Sequence, residues 1–137
     1  MTSSPAGQAT AVPVLALGDV LLVTLQGELE DRAAERLQQD IAHRAGRRPV
    51  RAVVIDISGV EIVDSFLGRV LAEIAAGGRL LAVSTVLAGM RPAVAITLAE
   101  LGLTLPGVHT ALNVDRALSL LGRAPSDGPS AAPERGA

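Results

Sequence analysis

The chain contains no cysteine, no lysine, no tryptophan and no tyrosine, and Phe66 is its one aromatic residue. Each absence removes a class of chemistry. Without cysteine there are no disulfides, thiolate metal sites or thiol nucleophiles, a usage that fits an intracellular protein without requiring one. Without lysine, all twelve basic residues are arginine, which excludes a Schiff base and the lysine of a phosphate-binding loop. No G-x-x-x-x-G-K-[ST] or G-x-G-x-x-G string occurs either, so nucleotide chemistry is not expected. A formal net charge of −2 with a single aromatic supplies neither the basic field nor the stacking platforms that nucleic-acid binding needs. No nucleic-acid partner is expected.

Long uninterrupted apolar runs are also missing. The most apolar segment, Leu80 to Leu98, is cut by Arg91-Pro92 and so fails as a bilayer span. The opening MTSSPAGQAT lacks a basic leader region, and Pro13 and Gly18-Asp19 interrupt the apolar stretch after it. No membrane segment and no secretion signal are expected, and the expected location is cytoplasmic.

What remains is enough for one core: 137 residues, 49% of them hydrophobic and 19% charged, suit a single domain. Residues 1–11 and 124–137 are small, polar and rich in Pro, Gly, Ser and Ala. They are expected to be a flexible N-terminal segment and a disordered tail around a domain over 12–123. Val14 to Leu17 and Val20 to Leu25 flank the turn dipeptide Gly18-Asp19, the pattern of an antiparallel hairpin. Leu29, Ala33, Leu37, Ile41 and Ala45 fall four apart and predict a helix over about 30–45, stopped by Gly46 and Pro49, with a charged outer face. Ala52 to Ile55 has no polar alternation, as in a strand covered on both faces, and Asp56 is expected to close it before Ser58-Gly59 turns the chain. Leu67, Val70, Leu71 and Ile74 then mark a helix that begins at Asp64-Ser65 and stops at Gly77-Gly78. A strand from Leu80 to Leu87, a short helix from Pro92 to Leu101, a strand from Val108 to Leu112 and a helix capped by Asn113 complete the order ββαβαβαβα. The expected fold class is α/β, with a mixed, mostly parallel sheet and helices packed on it.

Few residues can carry chemistry. His43 and His109 lie on separate elements with no ligand at metal spacing, so no metal site is expected. Ser65, His109 and Asp56 can be drawn as a triad, but no G-x-S-x-G elbow supports it. Asp56 more simply bonds the turn it precedes. Ser65 has two readings. On local pattern it is a helix cap, since Asp and Ser side chains accept from free N–H groups of a first turn. Alternatively its hydroxyl accepts a phosphate, which the positive end of the helix dipole would tolerate beside Asp64 and Glu61. Such a site switches binding, not fold. Phe66 reads as core or as a partly exposed partner contact. Gly68 inside a helix costs about 1 kcal/mol relative to Ala, which suggests the close approach of another surface. Thr97 reads as packing.

The string VVIDISGVEIVDSFLGRVL, followed by GMRPAVAITLAELGL, resembles the STAS family of anti-sigma factor antagonists, and within it the small stressosome antagonists of the RsbS type. LQGELED after the second strand agrees, and the resemblance covers roughly residues 12 to 123. It implies a non-catalytic scaffold without cofactors that sequesters an RsbT-like serine kinase. Such a scaffold assembles with RsbR-like STAS paralogues into a large complex and is switched by phosphorylation, regulating a stress-response sigma factor pathway. Carried over by position, Ser65 is the phosphoacceptor; Asp64, Phe66, Gly68 and Glu61 are its partner-binding surroundings, and Asp56, Ser58 and Gly59 shape the loop. The motif Asp64-Ser65-Phe66-Leu67-Gly68 departs from the D-S-[ST]-G-x-G of free anti-sigma antagonists. A conventional antagonist binding an anti-sigma kinase 1:1 is the alternative, and a small-molecule-binding or enzymatic α/β domain the third reading.

Overall fold

The structure, a computed structural model, describes residues 12–103 and 105–122. The segments expected to be flexible, 1–11 and 124–137, lie outside the described residues. At the centre is β3 (Ala52–Gly59), whose Ala52, Val53, Val54 and Ile55 are all 1% exposed or less. Such burial on both faces is what the unbroken apolar run predicts. The hairpin β1 (Val14–Leu17) and β2 (Val20–Gln26) lies on one side of it, and β4 (Ser84–Ala88) and β5 (Val108–Ala111) on the other. Strand order is 1-2-3-4-5, with β1 antiparallel to β2 and every other pair parallel.

Because β2 to β5 advance across the sheet in one direction, right-handed crossovers place their connecting helices on one face. These are α1 (Asp31–Arg47), α2 (Ser65–Leu80) and α3 (Pro92–Glu100). Their apolar stripes join Leu21, Val23, Val53, Ile55, Ile57 and Leu87 in the main core. Leu67, Val70, Leu71 and Ile74 of α2 are all buried there, each side chain contributing about 1.5–3 kcal/mol of burial. The last helix, α4 (Val114–Leu120), crosses to the opposite face. It covers Val20, Ala52, Val54, Val86 and Ala88 through Ala117. The element order ββαβαβαβα and the mixed sheet are as the sequence predicts.

Several boundaries differ. Strand β3 does not close at Asp56 but runs to Gly59, because Ile57 returns to the core at 1% exposure while Asp56 points to the other face. Gly46 does not stop α1, which continues to Arg47. Gly77 and Gly78 do not stop α2, which runs to Leu80. A Cβ on Gly78 would lie 2.9 Å from the Val83 carbonyl oxygen, so this glycine is there for close contact with the chain entering β4. The expected strand from Leu80 accordingly starts at Ser84, and Leu80 and Leu81 are exposed. On α3 only Val94 and Leu98 are buried. Ala93, Ile96 and Leu101 face outward, and Thr97 donates its hydroxyl to the Ala93 carbonyl one turn back.

Candidate functional site

The parallel strands β2 to β5 point the same way, so the loops that leave their C-terminal ends lie at one end of the sheet. The end of β3 and the loop that leads on to α2 are fixed at three points. The Asp56 carboxylate accepts the Ser58 N–H at 3.0 Å, the Ser58 carbonyl accepts from Arg91 Nε at 3.0 Å, and the Val60 N–H donates to the Ile57 carbonyl at 3.0 Å. Asp56 therefore bonds the turn it precedes, as expected. The chain then passes Val60 and Val63, both buried, with Glu61 and Ile62 turned out between them.

At the start of α2 the two readings of Ser65 separate. Asp64 is the N-cap: its side chain accepts the Leu67 N–H at 2.9 Å and its carbonyl accepts the Gly68 N–H at 3.1 Å. The cap position is thus filled by Asp64, and Ser65, the first helical residue, stands exposed. Among the described residues its hydroxyl makes no side-chain hydrogen bond. The helix is secured without it.

Beside Ser65 lies a groove of about 470 Å³ lined by Gly27, Glu28, Leu29, Gly59, Glu61, Ile62, Asp64, Phe66 and Leu67. Its lining pairs the apolar Leu29, Ile62, Phe66 and Leu67 with the carboxylates of Glu28, Glu61 and Asp64. Of the residues expected at the site, Glu61, Asp64, Phe66 and Gly59 share this groove. Asp56 and Ser58 stand behind it, on the side of Arg91. Phe66 is half-buried against the core, so its ring is partly packed and partly exposed at the groove. Gly68 is different. It is buried, and a Cβ there would collide with Leu103 Cδ1 and stand 3.3 Å from Leu98 Cδ2. The close approach it allows is made by this chain's own α3 and the residues after it, not by a partner surface.

The drawn triad is not assembled. Asp56 and His109 belong to β3 and β5, with β4 between them, so about 10 Å of sheet separates the two strands. Both face α4, whereas Ser65 opens a helix on the other face. Among the described residues no group of three or more His, Asp or Glu could hold a metal ion. No described helix is long and apolar enough to cross a membrane.

Two residues at the site escaped sequence reasoning. Ile62 is 84% exposed at the groove, and its signal was an apolar residue beside Glu61 in a loop whose neighbours Val60 and Val63 are both buried. Arg91 clamps the β3 end, and its signal was its place directly before the proline that opens α3.

A family model described as the STAS domain matches residues 11–117. A glutamate-for-serine variant of Moorella thermoacetica RsbS has 39% identity, covers 84% of this chain and 97% of its own, and superposes with a TM-score of 0.72. A chain from a structure of the stressosome, described as a signal integration and transduction hub, has 39% identity, covers 81% and 96%, and gives a TM-score of 0.70. The RsbT co-antagonist protein RsbRC of Bacillus subtilis is 31% identical over 99 residues, 72% of this chain and 35% of that protein. The chain spans between 35% and 42% of the lengths of four such co-antagonists that it matches.

Proposed function

The chain belongs to the STAS domain family, among the antagonists related to RsbS and RsbR, and on that premise we propose that it is a non-catalytic stressosome scaffold switched at Ser65. In this reading it holds an RsbT-like serine kinase, is phosphorylated by that kinase on the Ser65 hydroxyl, and then releases it. Release lets the kinase act on a stress-response sigma factor pathway. RsbR-like paralogues are its partners in a larger cytoplasmic complex, and it needs no cofactor, since the kinase brings the nucleotide.

The observation that carries this is the division of labour between two adjacent residues. Asp64 caps the helix, so the neighbouring hydroxyl is exposed and free to be modified without loss of the cap. A phosphate there adds about −1.5 to −2 charges, which the helix N-terminus tolerates. It also stands next to Asp64, at a groove whose lining includes Glu61 and the exposed Ile62. A partner fitted closely to that groove would have to accommodate a large hydrated anion beside it. The modification therefore changes the surface offered to a partner while leaving the core untouched.

Titration calorimetry against an RsbT-like kinase tests the switch. Ser65→Ala is expected to keep both fold and kinase binding, and Ser65→Asp to keep the fold and bind several-fold more weakly. Equal affinity of the two variants would sink it.

A further inference from the structure

Helix α2 carries a positive charge near Ser65 that neither the cap nor the core uses. Arg69 lies four residues on from Ser65, so the two side chains stand one turn apart on the same face, with Cβ atoms about 5–6 Å from each other. Both residues are exposed, while Leu67, Gly68 and Val70 around them turn inward and are buried. Helical side chains lean toward the N-terminus, so Arg69 extends back over the turn that Ser65 opens.

The groups that could hold Arg69 elsewhere are engaged. The ion pairs among the described residues join Arg44 to Asp40 and Arg51 to Asp19, and neither includes Arg69. Glu73, one turn further along α2, is the carboxylate spaced to pair with it, yet its Oε1 accepts from Gln38 Nε2 of α1 at 3.2 Å. Asp64 uses its carboxylate for the cap. Arg91, which also reaches this end of the sheet, donates its Nε to the Ser58 carbonyl.

We infer that Arg69 is the intramolecular receptor for a phosphate on Ser65: once the hydroxyl is modified, the guanidinium reaches back along α2 and holds the phosphate by charge-assisted hydrogen bonds. The inference rests on the reading of Ser65 as the phosphoacceptor. Two features support it. An anion placed N-terminal to a cation at a spacing of four is the favourable order on a helix. A guanidinium also meets phosphate with a planar fork of donors, making two bonds at once. Modification then changes the surface twice over. It adds an anion and withdraws an exposed cation, so a partner carboxylate set against Arg69 loses its contact when Ser65 is modified. The phosphate is directed along α2 and does not swing freely over the groove.

The test uses the full chain with phosphoserine placed at position 65 during translation, so its outcome does not depend on whether a kinase modifies Ser65. Phosphorus NMR follows the second ionisation of the phosphate, ordinarily near about 6. A paired guanidinium favours the dianion, so the pKa is expected to lie about 0.5 lower in wild type than in Arg69→Gln. Arg69→Lys, which keeps the charge, is expected to retain most of that shift. The α2 dipole and the carboxylates of Glu28, Glu61, Asp64 and Glu73 act alike on all three chains, and the difference therefore reports Arg69. Equal values in wild type and Arg69→Gln, or a lysine variant that matches the glutamine one, overturn the inference. Gln is close to Arg in helix propensity and the position is exposed, so circular dichroism should be unchanged. Should Arg69→Gln fail to fold, the Arg69 Nε–H resonance of the wild-type chain decides: a downfield shift on phosphorylation supports the pairing, and an unchanged position overturns it.

Discussion

The two ends of helix α2 are built on opposite plans. At its C-terminal end the chain is pinned: Gly78 lies against the Val83 carbonyl, the Val83 N–H returns to the Gly78 carbonyl at 2.7 Å, and Ala82 takes φ 61 to make the turn. At its N-terminal end the helix is capped by the Asp64 side chain, and next to that cap are an exposed serine, an exposed isoleucine and a groove lined in part by carboxylates. One end is fixed on the sheet by backbone contacts, and the other is held by a single side-chain cap. A switch that alters binding and not fold needs both.

The contrast breaks most readily at the pinned end. Gly78→Val is expected to lose about 2–3 kcal/mol in denaturant unfolding, since the new side chain must displace backbone and overpacking of this kind outweighs the helix-propensity gain. No loss would mean that the C-terminal end is not closed as described. Removing the cap comes next: Asp64→Ala is expected to cost about 1 kcal/mol, a loss of roughly 3–5 °C in Tm for a domain of this size. The adjacent glycine sharpens the comparison by changing sign. A Cβ on Gly77 meets nothing within 4 Å, so Gly77→Ala is expected to stabilise by about 0.5–1 kcal/mol, whereas Gly78→Ala is expected to destabilise. Smallest is Ser65→Ala, within about 0.5 kcal/mol of wild type; a loss as large as that of Asp64→Ala would return Ser65 to the cap and leave no free hydroxyl to modify.

Local signals carried most of the fold. The β3 run of Ala52 to Ile55, the turn at Gly18-Asp19, the caps at Asp64 and Asn113 and the proline opening α3 each act within a few residues, and all stand where the chain predicts them. Errors arose where a local signal served a distant contact. Gly77-Gly78 reads as a helix stop, yet helix α2 continues because Gly78 answers to Val83 on the way into β4. Gly68 reads as room for a partner, yet Leu103 fills that room. Asp56 reads as a strand end, yet the next residue, Ile57, is buried and keeps the strand going. At the site, the Asp64 cap and the exposed Ser65 beside it were legible because both lie in one short motif at the start of α2. Ile62 was not, since its exposure depends on which of Val60, Ile62 and Val63 the loop turns inward.

Intact-mass spectrometry after incubation with an RsbT-like kinase and Mg-ATP, on wild type and Ser65→Ala in parallel, tests the central claim most directly. A single added phosphate on wild type and none on the variant is the expected result. Phosphate on both, or on neither with the kinase shown active on another substrate, would contradict it.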